Sequence, residues 1–178
     1  MKNLGTREIS DNEIRLRKFK LEDSQDMFDN YCNDSEVSRY LTWKPHENIE
    51  VTKELLRGWI SQYNDTTYQW AITIGGRVVG SAGLVSVDIN EEKGVLGYCL
   101  TKKYWNRGIM TRVLGLIIDY CFNEVGFKRL EAVYHVDNKN SGKVMLKNKM
   151  NFDQVIKKVH KDNTGRYVDV NSYYIEKE

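Results

Sequence analysis

Apolar and basic residues alternate over residues 14–19 (IRLRKF), and alternation with period two predicts a half-buried strand. Residues 21–31 follow with helical spacing, and Asp23 and Ser24 stand near the start as candidate caps. Residues 35–43 read as a short helix or turn that ends at Pro45, the single proline of the chain. Over residues 49–63, Val51, Leu55, Trp59 and Tyr63 recur four apart and predict an amphipathic helix. Two strands, 69–74 and 77–87, flank Gly75-Gly76, a loop pair favoured in tight hairpins. Residues 94–100 (GVLGYCL) are apolar on both faces, as in a central strand. Residues 107–124 carry one long apolar stripe from Ile109 to Phe122, with Gly126 placed to close the helix. A strand over 129–136, a short helix over 139–148 and strands over 152–159 and 167–175 complete the pattern; Asp162 to Gly165 form the turn between the last two. Strands and helices in this order predict an α+β (α/β) fold, a mixed sheet with helices packed on it.

A length of 178 residues suits one domain, spanning 1–178, with a sizeable core. A net charge of +2 and scattered Lys and Arg argue against nucleic acid and against an anionic membrane as partners. No apolar run reaches membrane-spanning length, and the polar first residues lack a signal-peptide core. Cys32, Cys99 and Cys121 are widely spaced, and His46, His135 and His160 show no ligand spacing. The expectation is a cytoplasmic protein without a disulfide framework or a metal site.

The informative stretch is 97–141. A buried strand ends at Leu100, a loop follows, and Arg107 and Gly108 open the long helix. A helix start has unpaired N–H groups and a partial positive charge. A glycine there lets an anion approach the backbone, and Arg107 adds a full charge. These residues suit a pyrophosphate, or are simply the start of a helix.

The run LGYCLTKKYWNRGIMT, followed by RLEAVYHVDNKNSGKVMLKNKM, resembles the GNAT N-acetyltransferase superfamily, and within it the RimJ/RimL-like acetyltransferases of ribosomal-protein N-termini. The matching residues include Gly97, Tyr98, Tyr104, Trp105, Gly108, Thr111, Arg129, Glu131, Asn138, Ser141, Gly142 and Met145, and the likeness extends over residues 14–175. It implies a mixed, mostly antiparallel sheet of about seven strands with helices on both faces. It implies acetyl-CoA as cosubstrate, no metal, an amine as acceptor and a homodimer. By the same resemblance, the amides of Arg107, Gly108, Ile109, Met110 and Thr111 bind the coenzyme pyrophosphate. The main chain of Tyr98, Cys99 and Leu100 pairs with the pantetheine arm, and Asn138 and Ser141 lie beside the thioester.

The chemistry asks for a neutral amine, an N–H to hold the oxyanion and a proton for the departing thiolate. Ser141 is the candidate donor, with Asn138 beside it. An α-amino group, with a pKa of about 7.7–8.0, needs only a weak base. Asn138 and Ser141 also suit plain helix capping. Tyr40, Trp43 and Trp70 either line an acceptor pocket or belong to the core. Glu131 either faces the substrate or pairs with a basic neighbour, and His135 is either a base or an ordinary strand-end histidine. Three positions depart from the family pattern. Val95 stands where relatives carry Glu, Arg112 replaces an acidic residue, and Lys149 replaces a glycine. The expected activity is acetyl transfer to a protein or peptide N-terminus. The alternatives are acetylation of a small amine and a catalytically weak acyl-CoA-binding module.

Overall fold

The computed structural model describes residues 1–177. The strands are β1 (Ile9–Asp11), β2 (Ile14–Arg17), β3 (Gln69–Ile74), β4 (Arg77–Asp88), β5 (Lys93–Leu100), β6 (Arg129–His135), β7 (Asn151–Lys161) and β8 (Tyr167–Glu176). They form one sheet in the order β1-β2-β3-β4-β5-β6-β8-β7. Every neighbouring pair is antiparallel except β5 and β6. Eight strands replace the expected seven or so because residues 9–14 fold back as a small hairpin. Three-residue β1 is too short and polar to show an alternation. At the hairpin's turn Asn12 takes the left-handed φ of 49° that its short polar side chain tolerates. Gly75 and Gly76, with φ of 58° and 79°, close the β3–β4 hairpin as the sequence predicts.

The helices are α1 (Ser24–Met27), α2 (Ser35–Ser38), α3 (Ile49–Ser61), α4 (Ile109–Asp119) and α5 (Lys139–Lys147). Helix α1 is one piece of a longer coil, preceded by a 3₁₀ turn (Leu21–Asp23) and followed by a π turn (Phe28–Cys32). Asp23 does not cap from the front; its carboxylate reaches back to accept the Lys20 N–H at 2.8 Å and is gripped by Arg17 at 2.7 and 2.8 Å. In α3, Asn48 caps with its side chain, at 3.0 Å from the Glu50 N–H. Its buried line is Thr52 and Leu56, while Val51 is 41% exposed. Leu55, Trp59 and Tyr63 pack on the same core as predicted, and at the start of the helix Thr52 takes the inward place of Val51, its hydroxyl 2.8 Å from buried His46.

Two cores hold the sheet between its helices. One face packs Leu16, Trp70, Ile72, Leu96, Leu130 and Tyr173 against α4 and its apolar stripe, with Met145 of α5 beside them. The other packs Ala71 and Val78 against Phe19, Met27, Tyr31 and Leu56 of α1–α3 and their joining segments. Helix α4 passes into a π turn (Tyr120–Val125) and ends on Gly126, whose φ of 93° makes it the expected left-handed cap. Lys149, standing where a glycine was expected, adopts φ of 59° after α5.

Candidate active site

The β5–β6 ladder is short. Pairing runs from Lys93↔Arg129 to Leu96↔Ala132 and then stops, although both strands continue. Beyond Leu96 the two strands diverge, and one edge of β5 is left without a partner. On the other edge, β5 stays paired with β4 to Leu100. Just opposite the divergence, a bulge in β4 between Leu84 and Ser86 turns Val85 out to 70% exposure, and bulges sharpen local twist.

Ladder alternation decides which main-chain groups face the gap. The Thr101 N–H donates to the Val79 carbonyl at 2.8 Å, so the pairs two residues apart from this one exchange hydrogen bonds with β4. Cys99 therefore spends its main chain on Ser81. Tyr98 and Leu100 turn theirs to the open edge. The Leu100 carbonyl is then taken by the Trp105 indole N–H at 2.7 Å. What remains at the edge is the N–H and C=O of Tyr98 and the N–H of Leu100. Of the three residues expected to serve a pantetheine-like arm, Tyr98 and Leu100 face the gap. Cys99 is the exception, for the reason just given. Its thiol lies 3.2 Å from the Ser81 hydroxyl on the α1–α3 face, and burial pushes its pKa up.

At the end of this gap sits the start of α4. Gly108 is its N-cap, with φ of 74° and no side-chain cap. A Cβ built there would meet nothing within 4 Å, so the position asks for glycine by its dihedral and leaves open space above the helix mouth. The Arg112 N–H closes the first turn on the Gly108 carbonyl at 3.1 Å. The N–H groups of Ile109, Met110 and Thr111 precede any such bond and point outward, a seat suited to an anion. The Arg107 side chain packs beside the loop before the helix, its guanidinium 5.7 Å from the Tyr104 ring centre. Arg112 ion-pairs with Asp11 and Glu13, both at 2.7 Å, so the unexpected basic residue ties α4 to the first hairpin.

Helix α5 forms the facing wall. Asn138 caps it through a long 3.4 Å contact from the Ser141 N–H to its side-chain oxygen. Ser141 is not a cap. Its hydroxyl lies 2.9 Å from the Tyr98 hydroxyl, which is also 3.2 Å from the Ser141 carbonyl. Burial pushes the Tyr98 pKa up to about 12 against the opposing hydrogen bond from Ser141, so Tyr98 is a neutral phenol. Gly142 lets α5 approach this closely, since a Cβ there would lie 2.5 Å from the Tyr134 hydroxyl. The Tyr98–Ser141 pair, 43 residues apart, has no signal in either local pattern.

The gap opens into one continuous cleft of about 1240 Å³ that reaches the α1–α3 side of the sheet. Tyr40 and Trp43 stand on its walls, and Trp43 also packs against the core of the α1–α3 side. Trp70 does not line the cleft. It is 0% exposed, on the β3 face that packs against α4, and its indole N–H is used by the Arg7 carbonyl at 2.6 Å. Glu131 also stays outside the cleft. It lies opposite Val95 where β5 and β6 are still paired, and Arg129 holds it at 2.7 Å. His135 faces the cleft, with its Nδ1 accepting the Asp137 N–H at 3.1 Å. In the neutral ring that leaves Nε2 as a donor, the wrong state for a base. Tyr31, a residue the sequence did not single out, brings a buried hydroxyl without a hydrogen-bond partner to the same wall. Among the described residues no group of His, Cys, Asp and Glu is placed to hold a metal ion, and no helix is long and apolar enough to cross a membrane.

Known proteins share this fold. In sequence the chain is 26% identical over 165 residues to p20 of Bacillus licheniformis, described as an uncharacterized N-acetyltransferase, with 88% of this chain and 89% of that one covered. In structure it matches RimL, a ribosomal L7/L12 α-N-protein acetyltransferase in complex with coenzyme A. The TM-score is 0.86 at 20% identity, over 96% of this chain and 98% of that one. It also matches MccE, a microcin C7 self-immunity acetyltransferase in complex with acetyl-CoA and AMP. Here the TM-score is 0.83 at 21% identity, over 94% of each chain. The acetyltransferase (GNAT) domain model matches residues 13–151, the span that contains the diverging strands, the glycine-opened helix and the Ser141 wall, and the chain belongs to that family of acetyltransferases.

Proposed function

We propose that the protein transfers an acetyl group from acetyl-CoA to the free α-amine at the N-terminus of a protein or peptide. The observation that carries this is the unpaired edge of β5 at Tyr98 and Leu100, which leads from the open mouth of α4 to the Ser141 hydroxyl. The residues present fit the cosubstrate. The Ile109, Met110 and Thr111 amides offer donors for a diphosphate, and the β5 edge offers one carbonyl and two N–H groups for an amide-bearing arm.

In this reading the acetyl thioester lies where β5 leaves β6, and the acceptor enters from the α1–α3 side past Tyr40 and Trp43. The amine must arrive neutral. Among the described residues the one carboxylate on the walls is Glu36, which Lys102 holds at 2.8 Å, so none of them is a free carboxylate placed to take the amine proton. An α-amine is substantially unprotonated near pH 8, and water suffices to accept the proton released after attack. As the carbonyl oxygen becomes an oxyanion, the Tyr98 N–H at the open edge is the donor available to it. Departing thiolate takes a proton from Ser141, and the proton that the amine has released to water restores the serine, so that amide and free thiol form with no net change. The phenolic proton of Tyr98 then points to the Ser141 oxygen, which leaves the serine's own proton directed into the cleft.

Calorimetry with acetyl-CoA, followed by release of free thiol on a panel of N-terminally free peptides and small amines, tests the proposal. Binding with thiol release on peptides, lost when their α-amine is blocked, is the expected result. Binding without release on any amine would reduce the protein to an acyl-CoA-binding module. Release on small amines alone would move the acceptor to that class.

A further inference from the structure

The walls of the cleft are unevenly charged. Arg39, Lys143 and Lys147 face it, and among the described residues Glu36 is its sole carboxylate. Glu36 is already neutralised by Lys102 at 2.8 Å, and Lys102 also approaches Asp34 at 3.6 Å. Lys143 and Lys147 stand on α5 on the coenzyme side. Arg39 stands at the end of α2, on the acceptor side, and among the described residues no carboxylate lies within ion-pair distance of it. Its guanidinium lies 5.2 Å from the Tyr40 ring centre, and the Tyr40 ring lies 5.1 Å from that of His135 on β6. Arg39, Tyr40 and His135 thus form one connected stretch of the cleft wall. His135 has a carboxylate nearby, Asp137 at 3.7 Å, but that side chain is 74% exposed and is not on the walls. His46 and His160 are the remaining titratable imidazoles on the walls; burial lowers the His46 pKa, which keeps it neutral.

An amine acceptor with further positive charges meets no counter-charge here, and it meets Arg39 on the way in. An acceptor with a carboxylate near its amine meets an unpaired guanidinium, a donor fork that matches a carboxylate's two oxygens. Its apolar parts meet Tyr40 and Trp43. We infer that the acceptor is a monoamine with a negatively charged group close to the amine, in peptide terms an N-terminus followed by acidic residues. Polycations such as polyamines and aminoglycosides are excluded. The inference rests on the acetyl-transfer reading and deepens it.

The test uses the full chain, acetyl-CoA and N-terminally free hexapeptides that differ only at positions two and three, with Glu, Gln or Lys there. Spermidine and kanamycin serve as polycationic acceptors. The expected kcat/KM falls from Glu to Gln to Lys, by about tenfold between the extremes at low salt, with little thiol release on the polycations. Added salt compresses the series. Arg39→Gln is expected to bring the Glu and Gln peptides to within about twofold of each other, with the KM for acetyl-CoA held and part of the preference kept in Arg39→Lys. A flat series, or faster turnover of Lys peptides or polycations, overturns the inference while acetyl transfer stands. A preference that survives Arg39→Gln overturns the assignment to Arg39. Thiol release on none of the acceptors overturns the inference together with the acetyl-transfer reading.

Discussion

At the scale of single residues, the Tyr98–Ser141 contact separates two roles. The Tyr98 phenol has one proton and two acceptors within reach, the Ser141 hydroxyl at 2.9 Å and the Ser141 carbonyl at 3.2 Å. Only donation to the hydroxyl frees the serine proton for the leaving thiolate. Ser141→Ala is expected to lower kcat by about 10², the lower end of what a positioned proton donor contributes, and to leave the Kd for acetyl-CoA within about twofold. Tyr98→Phe is expected to lower kcat by less, about tenfold, because it misdirects the donor without removing it. Tyr98 ionises only at about 12, so the rise of kcat/KM with pH follows the acceptor amine and keeps its midpoint in the phenylalanine variant. A shifted midpoint would make Tyr98 the titrating group. Sequence motifs reached both Ser141 and Tyr98 but not the contact between them, because a contact across 43 residues leaves no periodicity. The same limit explains Trp70 and Glu131. An aromatic in a strand reads alike whether it faces a cleft or a core, and only the sheet's two faces separate Trp70 from Trp43.

At the scale of elements, the helix mouth is the feature most legible in the sequence. Gly108 and the stripe from Ile109 onward located the start of α4 to within a residue or two, since a glycine before an apolar period has few other readings. The space above Gly108 sharpens the expectation. Gly108→Ala strains a φ of 74° without filling the seat, so it should weaken acetyl-CoA binding only modestly, by about threefold. Gly108→Asp adds a carboxylate beside the three outward N–H groups and should abolish binding at concentrations that saturate the parent, read by calorimetry. Equal affinities for the two variants would place the diphosphate elsewhere. The short β1 and the broken first helix were not legible, because a three-residue strand and a π turn give no sustained period. That Thr52 and not Val51 turns inward at the start of α3 goes with its hydrogen bond to His46, which apolar spacing cannot report.

At the scale of the whole molecule, the sheet is two antiparallel blocks, β1–β5 and β6–β8, joined by the four paired positions between Lys93 and Leu96. The core on the α4 face bears on the joint through Leu96, Leu130 and Ala132, while the core on the other face lies against β3 and β4. The order and type of the elements carried this architecture in the sequence. The apolar pattern of 94–100 gives no sign of where pairing stops; only the family resemblance, which sets the main chain of Tyr98 to Leu100 against the pantetheine arm, pointed to that place.

That short joint has a consequence for how the protein answers its cosubstrate. A molecule bridging from the Tyr98 and Leu100 amides toward α5 supplies rungs that the backbone itself omits, so it acts as mortar between two bricks. Amide hydrogen exchange at Tyr98 and Leu100 should slow on addition of coenzyme A, and the melting temperature should climb with its logarithm. The Cys99 amide, already engaged by β4, should barely change. Slowing at Cys99 with none at its two neighbours would mean that the coenzyme does not lie along this margin of the sheet.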